Sequence, residues 1–283
     1  EIVKRHLVAA GWQVEFDERE VLLSYPRSLE FALYPGAAGA PLVERRDRFD
    51  ADAIPPGDVP KYNAWSASGT VRARVVDAGF GTRADFERLR ASGVATEGTI
   101  ALVRYGKCYR GIKVDLATQF GCAGVLLFSD PASDGAGKGE TWPKGPWKAD
   151  WDAQRGSILG IERVPGDPST PGYASPAPGA TGVKRLAGEQ LTDALPHIPC
   201  LPIGARDAAV ILAQIAPVTV RTQTTVDGVA QFVERVERLG PGPIEARLAL
   251  DVPRELRTIV NVIARLPGAS EKTVIGGAHR DAW

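Results

Sequence analysis

Methionine is absent from all 283 residues, and the chain opens on Glu1. Such a chain is expected to be part of a longer translation product, with a targeting segment among the candidates for what precedes it. Cysteine is scarce: Cys108, Cys122 and Cys200 are the only three. That is too few for a disulfide framework, and none lies in a CxxC pair, so buried free thiols are expected. No apolar run reaches the roughly 18 residues that a bilayer crossing requires, and no signal-peptide pattern opens the chain. A charge excess is also lacking, because 34 Lys and Arg balance 34 Asp and Glu. Nucleic acid and anionic membranes are therefore not expected partners. There is no Gly-x-Ser-x-Gly elbow for a serine hydrolase, and "GAGKGE" (135–140) misses the phosphate-loop spacing. No N-x-[ST] acceptor site for glycosylation occurs either.

What is present is enough apolar residue, 44% of the chain, for a real core, broken by 31 Gly and 22 Pro into many turns. An amphipathic helix is predicted over Glu1–Gly11, then strands over Gln13–Phe16 and Glu20–Tyr25, closed by Pro26. The next forty residues read as loop, including the charged run Arg45–Arg48. Val71–Val76 alternates as a half-buried strand, and Thr82–Asp85 has the form of a capping box opening a helix that buries Phe86 and Leu89. "GTIALVRYG" (98–106), a helix from Arg110 to Gly121 with Ile112, Leu116 and Phe120 on its apolar face, and "GVLLFSD" (124–130) form a predicted βαβ unit with parallel strands. A long loop is expected over Pro131–Pro178, of the length that is usually functional or pinned by a ligand. Ala208–Ile215 reads as helix, and Val218–Val226 and Ile244–Val252 as antiparallel strands. "IVNVIARL" (259–266) and "TVIGGA" (273–278) are predicted to be two further strands.

The last of these carries chemistry. His279 is expected just past a strand's carboxyl end, where open α/β sheets collect ligands. Asp281, two residues on, can accept from the second imidazole nitrogen and so orient the first toward a metal. The same letters, His-Arg-Asp, open a kinase catalytic loop, but the Leu that would follow is Ala282 and no upstream kinase motif exists. A lone His-x-Asp is weak evidence by itself, since a single histidine in a loop is more often structural than a metal ligand.

Seven ordered segments together give a resemblance: "VLLSYP" (21–26), "RYGKCYRGIKV" (104–114), "GVLLFSDP" (124–131), "QRGSIL" (154–159), "GDPSTPGY" (166–173), "IPCLPIG" (198–204) and "NVIARLPGA…VIGGAHRDAW" (261–283). The chain resembles the glutamate carboxypeptidase II family, two-zinc exopeptidases related to the transferrin receptors. The resemblance implies an α/β fold: part of a zinc-peptidase α/β domain interrupted by an inserted protease-associated, or apical, α+β domain. Residues 1–26 and 255–283 would belong to the peptidase domain and 27–254 to the apical one.

It further implies that His279 is a zinc ligand and Asp281 its orienting carboxylate. Two zinc ions would need the remaining ligands and the general base from residues beyond Trp283, so the chain by itself is expected to be inactive. Arg110 would grip the free C-terminal carboxylate of a small peptide, with Tyr109 as a wall of that pocket. Without the resemblance, Arg110 reads as a surface arginine at a helix start. Ser157 stands where the family has an asparagine touching the same carboxylate, which puts a preference for C-terminal glutamate in question. Thr170 and Tyr173 would offer oxygens to a calcium ion pinning the long loop, although a turn built on Pro171-Gly172 explains the same letters. A homodimeric parent outside the cytoplasm is implied as well. The alternative is a non-catalytic binding module of the transferrin-receptor type.

Overall fold

The computed structural model describes residues 1–36, 39–48, 60–160, 164–226 and 229–279. Its strands are β1 (Gln13–Ser24), β2 (Ser28–Tyr34), β3 (Val43–Arg48), β4 (Asn63–Ala64), β5 (Gly69–Asp77), β6 (Ile100–Arg104), β7 (Gly124–Phe128), β8 (Gly156–Ser157), β9 (Cys200–Pro202), β10 (Ala216–Val226), β11 (Val229–Gly240), β12 (Glu245–Asp251) and β13 (Arg254–Arg265). Its helices are α1 (Ile2–Ala9), α2 (Arg83–Ala91), α3 (Arg110–Gln119), α4 (Pro131–Asp134), α5 (Gly188–Asp193) and α6 (Ala205–Gln214). No helix among the described residues is long and apolar enough to cross a membrane.

A seven-stranded mixed sheet, ordered β3-β2-β12-β5-β6-β7-β9, forms the core. Its first four strands run antiparallel to their neighbours. From β5 through β6, β7 and β9 the pairing is parallel, as the βαβ pattern requires. Parallel strands are covered on both faces and so lose their polar alternation; Ile100, Ala101, Leu102, Val103, Val125, Leu126 and Leu127 are all fully buried. The helix α2 is opened by the predicted capping box, with Thr82 Oγ1 accepting from Asp85 N and Asp85 accepting from Thr82 N. It buries Phe86 and Leu89, and Phe86 stacks on Phe120 at 5.1 Å between ring centres.

A separate two-stranded ribbon joins the chain's early and late segments. In it β1 pairs antiparallel with β13 over twelve positions, from Gln13↔Arg265 to Ser24↔Arg254. Ser24 Oγ at its end accepts from Trp65 N at 3.0 Å and ties the ribbon to the segment carrying β4.

Several sequence expectations are corrected. The two short strands before Pro26 are one continuous strand, β1. The charged loop after Pro26 holds β2 and, at the sheet edge, β3, whose Arg45 pairs with Asp207 at 2.9 Å. Charged side chains are a usual guard on an edge strand, so a charge run disguised a strand as a loop. Val218–Val226 does not join Ile244–Val252; β10 pairs with β11, which the sequence reading missed, while β12 lies inside the main sheet. On α3 Leu116 is buried as expected, but Ile112 is exposed and Lys113, beside it, is buried with Val114 and Ala117. The strand expected over 273–278 is absent: those residues have no regular structure, and Val274 and Ile275 are 96% and 90% exposed. A continuous apolar strand needs neighbours to cover it, and none of the described residues does so.

Candidate functional site

The expected residues divide into three places. The first is the carboxyl end of β6 and the start of α3, where Tyr109 is the N-cap and Arg110 the first helical residue. The segment 154–157 lies against them, held by the parallel bridge of β4 with β8, Asn63↔Gly156 and Ala64↔Ser157. Tyr109 Oη donates to the Ser157 carbonyl at 2.8 Å. The neighbours Tyr109 and Arg110 are thus brought to the segment of Ser157, 48 and 47 positions away in sequence. Helix α3 can approach this closely because residue 111 is glycine: a Cβ there would sit 2.7 Å from the Ile158 carbonyl oxygen.

Arg110 has an unusual environment. Its guanidinium lies over the Tyr109 ring at 5.4 Å, and its Nε is buried with no hydrogen-bond partner among the described residues. Leaving a charged donor unsatisfied in a buried position is costly. A planar cationic fork held this way suits an incoming carboxylate, which can accept two parallel N–H bonds. Ser157 Oγ accepts from Leu159 N at 3.1 Å and keeps its hydroxyl proton for a further acceptor.

Beneath this pair is a polar cluster that the sequence reading did not single out. Asn63, fully buried, donates from Nδ2 to the Gly156 carbonyl at 3.2 Å and to Tyr105 Oη at 3.5 Å. Tyr105 Oη donates to the Gln154 carbonyl at 2.7 Å, and Cys200 Sγ lies 3.5 Å from Asn63 Oδ1. Burial pushes the Tyr105 hydroxyl and the Cys200 thiol up, so both stay protonated donors at neutral pH. Lys113, also fully buried, donates to the carbonyls of Phe80 and, at 2.7 Å, of Gly106, with Cys108 Sγ at 3.5 Å. Burial pushes its ammonium below the usual lysine range, against the opposing pull of Cys108.

The second place is the turn at 166–175. Thr170 is buried, its Oγ1 3.1 Å from Ser175 Oγ, and Tyr173 is exposed with its N–H directed at the Thr170 carbonyl at 3.4 Å. Asp167 is the hub. It accepts from Ser169 N, Ser169 Oγ, Ser175 Oγ and Leu22 N, and from Arg185 Nη1 at 2.8 Å. Arg185 also donates to Ser169 Oγ at 2.7 Å and to the Glu20 carbonyl at 2.6 Å. The long loop is therefore fastened to β1 by an arginine. Calcium takes six to eight oxygen donors, and the two carboxylates at this cluster, Asp167 and Glu20, both face Arg185, at 2.8 and 3.6 Å. A calcium ion held by Thr170 and Tyr173 would need further oxygen donors from outside this cluster.

Burial raises the Asp167 carboxyl, but hydrogen bonds from Ser169 and Arg185 outweigh it and hold it below the usual carboxylate range. A carboxyl depressed in the folded state adds stability that is fully present above its unfolded value, near 3.9. That stability is lost as pH falls through the folded value. Arg185→Ala is expected to lower unfolding stability by about 3 kcal/mol at pH 7, because it strands a buried carboxylate. Chelator is expected to leave the melting temperature of this 283-residue chain by itself unchanged. Thermal melts across pH 2–7 check both, and the variant's deficit should shrink below pH 4.

The third place is the end of the described chain. His279 is exposed, and Asp281 lies outside the described residues. Among the described residues no group of three or more His, Cys, Asp or Glu could hold a metal ion. This part of the chain offers a metal one imidazole.

A family model described as the PA domain matches residues 66–151. The chain is 31% identical to a probable glutamate carboxypeptidase, AMP1, of Arabidopsis thaliana, covering 99% of this chain and 37% of that protein. It is 35% identical to a glutamate carboxypeptidase 2 homolog of Caenorhabditis briggsae, covering 93% and 35%. It is 32% identical to the aminopeptidase NAALADL1 of Mus musculus, covering 94% and 36%. The chain thus spans little more than a third of the length of these relatives. Among solved structures, an aminopeptidase from Aneurinibacillus sp. strain AM-1 aligns over 95% of this chain and 42% of its own, at 16% identity and a TM-score of 0.44. BSAP, a zinc aminopeptidase from Bacillus subtilis, aligns over 93% and 39% at 15% identity and a TM-score of 0.41.

Proposed function

Because the chain belongs to the glutamate carboxypeptidase-like family and has a PA domain set within it, we propose that it forms part of a zinc-dependent exopeptidase. Its substrates are small peptides with a free C-terminal carboxylate. The relatives' names divide between carboxypeptidase and aminopeptidase. What favours the former is Arg110, whose Nε is buried without a partner beside Ser157 and over Tyr109. In this reading the guanidinium takes the substrate carboxylate, the Tyr109 ring backs the guanidinium, and the Ser157 hydroxyl donates a further hydrogen bond. Serine is shorter than asparagine, so side chains other than glutamate are accepted at the last position.

The pairing of β1 with β13 supports assigning residues 1–26 and 255–283 to one peptidase domain, with 27–254 as the apical insertion. His279 would be one zinc ligand and Asp281 its orienting partner. When bound, zinc supplies Lewis-acid activation of the attacking water. This chain's own task is to bind and orient the substrate by its carboxylate. Alignment of that kind lowers the barrier by removing rotational freedom before the reaction.

The full-length protein is expected to hydrolyse small peptides, to lose that activity on dialysis against a chelator, and to regain it with zinc. Peptide binding without any turnover, with zinc restored, would contradict the enzyme reading and favour the non-catalytic alternative.

A further inference from the structure

The segment 154–157 is held more firmly than a two-residue strand requires. Three of its four carbonyls accept from side chains that reach it from elsewhere in the fold: Gln154 from Tyr105, Gly156 from Asn63, and Ser157 from Tyr109. At the centre is Gly156, with φ at +133°. A Cβ built on it would lie 2.0 Å from Arg110 Nη2, 2.5 Å from Cζ and 2.9 Å from Nε. The guanidinium therefore lies directly on the Gly156 Cα, with the Tyr109 ring against it at 5.4 Å. Any side chain at 156 would occupy the volume that the guanidinium fills.

We propose that Gly156 is the positioning residue of the carboxylate site: its bare Cα is the seat on which Arg110 rests, and Asn63 and Tyr105 fix that seat from below. This rests on the reading of Arg110 as the carboxylate clamp. The physical case has two parts. An arginine side chain has much rotamer entropy to lose when immobilised, and Arg110 makes no hydrogen bond that would fix its Nε. Shape takes the place of bonding. Wedged between a backbone and a ring, the fork is oriented before substrate arrives, and its N–H groups remain unspent.

In Gly156→Ala the flexible arginine gives way sooner than the braced strand, so the clamp is lost while Arg110 is still present. The test measures KM and kcat of the full-length enzyme on one dipeptide with a free C-terminal carboxylate, for Gly156→Ala, Arg110→Ala and the double variant. Gly156→Ala is expected to raise KM by about the same factor as Arg110→Ala, with kcat within twofold of the parent. The double variant is expected to be no worse than Arg110→Ala alone, because both remove the same interaction.

An unchanged KM in Gly156→Ala, beside a raised KM in Arg110→Ala, would overturn the seat and leave the clamp standing. An unchanged KM in Arg110→Ala would overturn the clamp itself. Thermal melts cover the case in which Gly156→Ala folds poorly. The φ of +133° strains alanine at 156 whatever the space, so a melting temperature recovered in part in the double variant supports the seat, since the crowding is then relieved. A deficit of the same size with and without Arg110 contradicts it, since backbone strain would then account for all of it.

Discussion

Replacement of Arg110 by alanine in the full-length protein is expected to raise KM for peptides with a free C-terminal carboxylate roughly ten- to hundredfold, the worth of a charge-assisted hydrogen-bonded pair. The kcat is expected to change far less, because the carboxylate is held equally in the bound substrate and in the transition state. Arg110→Lys should recover only part of the affinity: an ammonium supplies the charge but not the planar fork, and it cannot lie flat on Gly156. Stability should be nearly unaffected or slightly raised, because the arginine makes no ion pair among the described residues and its buried Nε has no partner. That combination separates a binding residue from a structural one. A structural arginine would lower the melting temperature and leave the selectivity for carboxylate alone.

Lys113 is expected to behave in the opposite way. It is fully buried, and its ammonium joins the loop after β5, through the Phe80 carbonyl, to the loop after β6, through the Gly106 carbonyl. Lys113→Ala strands both carbonyls, at about 1–3 kcal/mol each, and leaves a cavity in addition. A loss of about 4 kcal/mol is expected, or roughly 8–15 °C in melting temperature for a domain of this size. Lys113→Met keeps most of the volume and should recover the packing part alone. Because the Gly106 loop leads directly into Tyr109 and Arg110, weaker binding of carboxylate peptides should accompany the loss of stability. Denaturant and thermal unfolding of both variants, with KM measured beside them, test the coupling.

The parts of this molecule that could be read in the sequence are those whose physics is local. The capping box at Thr82 and Asp85, the apolar runs of β6 and β7 and the parallel unit they make with α3 are all set by neighbouring residues. The proximity of Tyr109, Arg110 and Ser157 was legible only through resemblance, since nothing in the spacing of residues 109 and 157 places them side by side. Lys113 was hidden because a lysine at a helical core position looks like a solvated face until two carbonyls are found waiting for it. Asn63 lies in a two-residue strand with no periodicity to mark it. Asp167 and Arg185 sit in a loop, 18 residues apart, where only the fold can make them partners. The strand expected over 273–278 failed for a related reason: its letters are those of a buried strand, but burial depends on neighbours that a local pattern cannot supply.

The most direct test of the central claim compares one small peptide in two forms, free C-terminal carboxylate and C-terminal amide, as ligands of the full-length zinc-loaded protein. The account predicts that the acid is bound at least tenfold more tightly and hydrolysed, and that Arg110→Ala brings the two affinities together. Equal affinity for acid and amide in the parent protein would contradict the carboxylate clamp, and with it the carboxypeptidase reading.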